Sequence, residues 1–119
     1  MASRYYPTWW YCNVTLPPKN FRDDPAGHVG NQCGHLCIGL AAYALLGIYG
    51  GAGVALVAAA YFIIVEGLLQ RLSLFWDSVE DTTYVAAGAG FLLAYEAGYA
   101  VPVVVVIALG LAFGVWLRR

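Results

Sequence analysis

Two uncharged stretches dominate the chain, Cys33 to Val65 and Ala97 to Leu117. Each exceeds the ~18 residues that signal a membrane-spanning helix. The first is too long for one helix and is interrupted by "GIYGGAG" (47–53), glycine-rich sequence suited to a tight turn between antiparallel helices. The pattern predicts a helix over about Gly34–Tyr49 and a second over about Val54–Leu72. A third should open at "DSVED", with Asp77 as N-cap and Glu80 completing a capping box, and run to about Tyr95. The fourth covers about Val101–Leu117, with Pro102 in the first turn, where its missing N–H costs nothing. At these lengths the first and third helices are short for a ~30 Å hydrocarbon core and call for local thinning of the bilayer.

Polar residues fall on stripes within these helices. Glu66 and Gln70 are spaced i, i+4, and Ser73 and Asp77 continue the series. Asp77, Asp81, Tyr84 and Gly88 follow the same spacing on the third helix. His28, Gln32, His35, Gly39 and Tyr43 do likewise on the first, if that helix begins early. Residues so spaced share a face, and an antiparallel arrangement brings the three stripes to one end of the bundle. His35, Glu66, Gln70, Asp81 and Tyr84 are therefore the candidates for a shared polar pocket, with Asp77 and Glu80 read as helix caps. Glu66 lies about six residues, or ~9 Å, inside the end of its helix. As an unpaired anion it would be strongly disfavoured there, so it must be protonated, paired or facing water between helices. His35 and Arg71 are the available partners; a purely structural hydrogen-bonded group is the alternative.

Composition agrees with a membrane protein. The chain of 119 residues is 61% hydrophobic and only 11% charged, against roughly 25% charged residues in soluble domains. The expected fold class is all-α, an integral membrane bundle of four transmembrane helices over residues 33–119, preceded by an aromatic-rich interfacial segment over residues 1–32. Tyr5, Tyr6, Trp9, Trp10 and Tyr11 make that segment suited to the membrane interface, and it lacks the features of a secretory signal.

The six basic residues, Arg4, Lys19, Arg22, Arg71, Arg118 and Arg119, all fall on one side if the chain crosses four times. Positive residues mark the cytoplasmic side, so both termini are expected in the cytoplasm and the protein in the inner (cytoplasmic) membrane. A nucleic-acid binder is excluded, because these six make no stripe or groove. Cys12, Cys33 and Cys37 then lie on the reducing side. Cys33-x-His35-x-Cys37 is not a convincing metal set, since on a helix the cysteines share a face and His35 points nearly opposite; neither a metal nor a cofactor is expected. Gly88, and the GxxxG pair Gly110 and Gly114, are close-packing positions, serving the bundle or self-association.

"NQCGHLCIGLAAYALLG" (31–47), "VEGLLQ" (65–70) and "DTTYVAAGAG" (81–90) together resemble the VanZ-like membrane proteins and related small envelope and phage proteins. The positions that carry the resemblance are His35, Glu66, Gln70, Asp81, Gly88 and Ala89; Asn31 and Gln32 stand where that family's pattern has Asp and Lys. The resemblance implies a small cell-envelope membrane protein with a buried His/Glu/Asp group. Three functions are then open. The first is a VanZ-like protein whose cytoplasmic-side pocket binds a lipid head group, an ion or a proton, with enzymatic chemistry as its extreme, unsupported by any nucleophile motif or phosphate loop. The second is a phage holin or other oligomeric pore-former. The third is a structural subunit of a larger membrane or virion assembly, docked on a membrane protein partner through its aromatic N-terminus.

Overall fold

The structure is a computed structural model and describes residues 21, 24–69 and 75–119. Among these residues it is helical throughout its ordered elements, with no strand. Helix α1 spans Pro25–Leu46 and α2 Gly50–Ala60; the latter continues directly as a π-helix over Tyr61–Leu69. Helices α3 and α4 span Phe75–Glu96 and Ala100–Leu117. The expected four helices are present. Three of them, Pro25–Leu46, Gly50–Leu69 and Ala100–Leu117, are long and apolar enough to cross a membrane.

The first helix starts nine positions before the sequence expectation, and the boundary between residues 32 and 33 falls inside it. Its beginning follows ordinary helix chemistry. Asp24 accepts a hydrogen bond from the Gly27 N–H at 2.9 Å, and Pro25 fills the first helical position. Charge in the preceding segment had masked this start. The extension matters, because α1 and α3 each reach 22 residues, or ~33 Å at 1.5 Å per residue. The expected shortness of these two helices is thereby corrected. Gly47 closes α1 in the left-handed conformation at φ 71°, and the Gly50 N–H donates to the Tyr43 hydroxyl at 2.7 Å, which fixes the turn into α2.

Helices α1 and α3 form the central pair and run parallel. Asp81 meets Gln32, while Val85 and Ala89 meet Gly39 and Gly88 meets Leu36, so contacts climb both helices together. Two glycines make this approach possible. A methyl group on Gly39 would collide with the Val85 carbonyl, and one on Gly88 with the Leu36 carbonyl. Helices α2 and α4 flank the pair and run the other way, with Glu66 beside Ser78 and Arg118 beside Glu80.

Burial is inverted relative to a soluble domain. The side chains sealed inside include His28, Gln32, His35, Glu66, Asp77, Ser78 and Arg118. The exposed ones include Ile63, Leu68, Val101, Val104, Val105, Val106, Leu109, Phe113 and Trp116. Soluble proteins rarely show so continuous an apolar exterior; lipid is the solvent that tolerates it, provided polar groups find partners inside. The interior is also graded. Tyr43, Val57, Val85 and Ala89 form an apolar core with Tyr61 at its border, and the polar residues gather beyond it, where α1 and α3 begin and α2 and α4 finish.

Candidate functional site: a buried acid-rich seam

The polar end is a seam across the bundle with three linked parts. Between α1 and α3, the Gln32 side-chain amide donates to Asp81 Oδ1 at 2.9 Å. His35 Nδ1 lies 3.3 Å from Gln32 Oε1 and 3.5 Å from Asp81 Oδ1. Asn31 Nδ2 also lies 3.5 Å from the same nitrogen, so two oxygen acceptors and one amide donor surround His35 Nδ1. The His35 ring also packs edge-on against Tyr61, with centroids 5.7 Å apart, which ties α1 to α2.

The second part joins α2 to α3. Ser78 Oγ donates to Glu66 Oε2 at 2.6 Å. Glu66 is only 1% exposed, and its Oε1 has no hydrogen-bond partner. How Glu66 reaches this place is a matter of helix register. The inward positions of the second span are Gly53, Val57, Tyr61 and Glu66, so the step lengthens from four residues to five where the α-helix becomes a π-helix. A continuous α-helix would turn Val65 inward after Tyr61 and carry Glu66 off the seam. The π segment is what aims the carboxyl inside; such segments are characteristic of functional positions. Deleting Ile63, a lipid-facing residue, should restore a four-residue step and leave the carboxyl on the seam. The expected change in stability in micelles is within about 1 kcal/mol, the scale of one hydrogen bond. Inserting an alanine at the same place should instead expel the carboxyl, with a much larger loss on thermal unfolding.

The third part joins α4 to α3 and α1. The Arg118 guanidinium donates to both carboxylate oxygens of Glu80 and, at 3.1 Å, to the Gly114 carbonyl. Asp77 Oδ1 lies 3.7 Å from the same guanidinium, and His28 Nε2 is 3.6 Å from Glu80 Oε1. A two-pronged Arg–carboxylate pair of this kind is among the stronger polar contacts available to a protein.

Several sequence expectations are thus resolved. His35, Glu66 and Asp81 do converge on one end. Gln70 lies outside the described residues, as do Arg71, Ser73, Cys12 and the aromatic cluster at 5–11. Tyr84 is buried but faces α4, with its hydroxyl toward Gly110, so it stands apart from the His35–Asp81 group. Asp77 and Glu80 are not helix caps. The helix already runs from Phe75, which places both side chains inside it, where they turn to Arg118. Gly110 and Gly114 face inward, Gly114 against His28 and Glu80, so the GxxxG pair serves packing within the chain. Cys33 and Cys37 lie exposed on the outer face of α1, opposite His35.

The sequence reasoning missed Arg118, His28 and Ser78 as members of the site. A signal existed for Arg118, which continues the Gly110, Gly114 series by four more residues. Ser78 carried none.

Comparison with protein-family models, curated proteins and solved structures finds no match to this chain.

Proposed function

We propose that this chain is a multi-pass protein of the inner membrane, with all four helices crossing the bilayer, both ends in the cytoplasm, and a proton-binding seam beneath the cytoplasmic leaflet. The observation that carries this reading is the charge balance of the seam. Four carboxyls, those of Glu66, Asp77, Glu80 and Asp81, share it with one guanidinium, Arg118, among the described residues. Even with His28 and His35 both protonated, one of these carboxyls lacks a counter-charge within the seam among the described residues, which leave out Arg71. An uncompensated carboxylate inside a membrane costs roughly 2.5–3.5 kcal/mol or more. Protonation removes that cost.

The proton is favoured over a metal ion or a lipid head group by how the carboxyls are used. The acids are spread along the seam rather than aimed at a common point, and no three His, Cys, Asp or Glu side chains among the described residues are grouped to hold a metal ion. The cytoplasmic orientation rests on the grouping of the six basic residues. The VanZ-like resemblance is consistent with the same His35, Glu66 and Asp81 group. A pore lined by several copies would need polar faces turned outward, whereas these turn inward.

Infrared spectroscopy of the protein in bilayers tests the reading. At neutral pH the carbonyl stretch of protonated carboxylic acid should be present, and Glu66→Gln should diminish it while the protein stays folded. A spectrum with ionised carboxylates alone would overturn it.

A further inference from the structure

We infer that His28 is the port through which protons pass between the cytoplasmic surface and the seam, an inference that rests on the proton-binding reading above. His28 is 0% exposed, and neither ring nitrogen has a hydrogen-bond partner. A fully buried imidazole with both nitrogens unsatisfied is costly to keep, and its surroundings are built rather than accidental. Gly114 lacks the side chain that would strike Nε2, so α4 can press against the ring. The Phe21 ring lies across it with centroids 6.5 Å apart. Glu80 on α3 stands 3.6 Å from Nε2, just beyond hydrogen-bonding range, and Arg118 on α4 faces the same spot across the carboxylate. On its own helix the nearest charged group is Asp24, one turn earlier.

The second observation is a cavity on the outer side of His28. It is lined by Asp24, His28, Arg118 and Arg119, with Phe21 and Val115 as its apolar walls, and has a volume of about 10 Å³. That is at the lower edge of the ~10–15 Å³ that one water molecule needs. Asp24 is exposed to solvent, so this one small cavity touches both a solvent-exposed carboxylate and the buried imidazole, with Glu80 3.6 Å beyond the ring. Imidazole is suited to the middle position because it accepts a proton on one nitrogen while releasing another from the second. A proton taken up at Nδ1 from water is balanced by loss of the Nε2 proton to a Glu80 carboxylate oxygen, and exchange of tautomer resets the ring.

The test follows the protonated-carboxyl infrared band of the full chain in nanodiscs after transfer to heavy water. In His28→Phe the band should keep its size, and its deuterium shift should slow by about a hundredfold or more, the lower end of the effects of a positioned acid–base group. In His28→Ala, added imidazole should restore the fast shift. Wild-type exchange rates in a folded His28→Phe protein would overturn the inference. Should His28→Phe not fold, failure of imidazole to accelerate exchange in His28→Ala would do the same. A wild-type protein without the band would remove the proton-binding reading itself, which is a different result from a band that exchanges normally without His28.

Discussion

Gly39→Ala and Gly88→Ala should each drive α1 and α3 apart and cause a large loss of stability. The reason is what the methyl meets. At Gly39 the obstruction is the Val85 carbonyl, with the Ala89 amide nitrogen close behind; at Gly88 it is the Leu36 backbone. A side chain can rotate away from an intruder, but a backbone inside a helix cannot. Overpacking commonly costs about 1–3 kcal/mol, and each variant belongs at or above the top of that range. Separation would also stretch the Gln32–Asp81 hydrogen bond, 2.9 Å in the native bundle, and so weaken the site together with the fold. Gly30→Ala, Gly34→Ala and Gly90→Ala provide the contrast. A methyl group at these positions meets nothing within 4 Å, and helical Gly→Ala changes of that kind are expected to be neutral or to stabilise by about 0.5–1 kcal/mol. Thermal unfolding in one detergent, compared across the five variants, checks the pattern. Equal behaviour of the two groups would mean that α1 and α3 do not touch through these glycines.

The second large effect belongs to Arg118→Ala. This guanidinium is 4% exposed and supplies the positive charge beside Glu80 and Asp77. Breaking a buried pair by removing one member typically costs about 3–5 kcal/mol, because the other charge stays buried without compensation. Against a total stability of about 5–15 kcal/mol for a typical domain, that loss is severe. Helix α4 is the element at risk. Its other residues are largely lipid-facing, with Gly114 the one buried position inside the helix, and a groove of about 440 Å³ separates much of it from α3. Removing Glu80 as well should recover part of the loss, since residues in one ion-pair network are not additive. Arg118→Lys should fall between, for a lysine cannot reproduce the two-pronged contact. Proteolysis of the C-terminal helix in bilayers and unfolding of the single and double variants measure this directly. An Arg118→Ala protein as stable as the wild type would show that α4 is held by something else.

Much of this architecture was written in the hydrophobic pattern. The stripe His28, Gln32, His35, Gly39 and Tyr43 coincides with the buried face of α1, because a helix packed on one side must repeat every three or four residues. The place of Glu66 was legible for the same reason, since a carboxyl in an apolar run needs an inward direction. Three features were hidden. The π segment has no local signature; "FIIV" between Tyr61 and Glu66 would serve an α-helix equally well, and only packing against α3 selects the wider turn. Arg118 counted in the sequence only as one of the basic residues that mark a side of the membrane, yet it folds back because the acids of α3 lie at the level where α4 finishes. Asp77 and Glu80 matched a capping pattern by spacing, but the helix extends through the positions before them. In each case a tertiary contact decided what the local sequence left open. The Asp24–Pro25 start of α1 differs from these, as its cap chemistry was readable and was overshadowed by the use of charge to mark the span.

The arrangement of the site has a functional corollary. The acid-rich seam occupies one end of the bundle, and the apolar core of Tyr43, Val57, Val85 and Ala89 fills the other. In the proposed reading, protons bound by the seam would therefore communicate with one face of the membrane.

The central claim is an inverted bundle, apolar toward lipid and acidic within. Carbene labelling of the unmodified protein in bilayers with a lipid-soluble diazirine, read by mass spectrometry, addresses it most directly. Adducts should concentrate on Ile63 and Leu68 of the π segment and on Val106, Leu109, Phe113 and Trp116 of α4. His28, Gln32, Glu66 and Ser78 should remain unmodified. Strong labelling of Glu66 or Gln32 from the lipid phase, with α4 spared, would contradict the account.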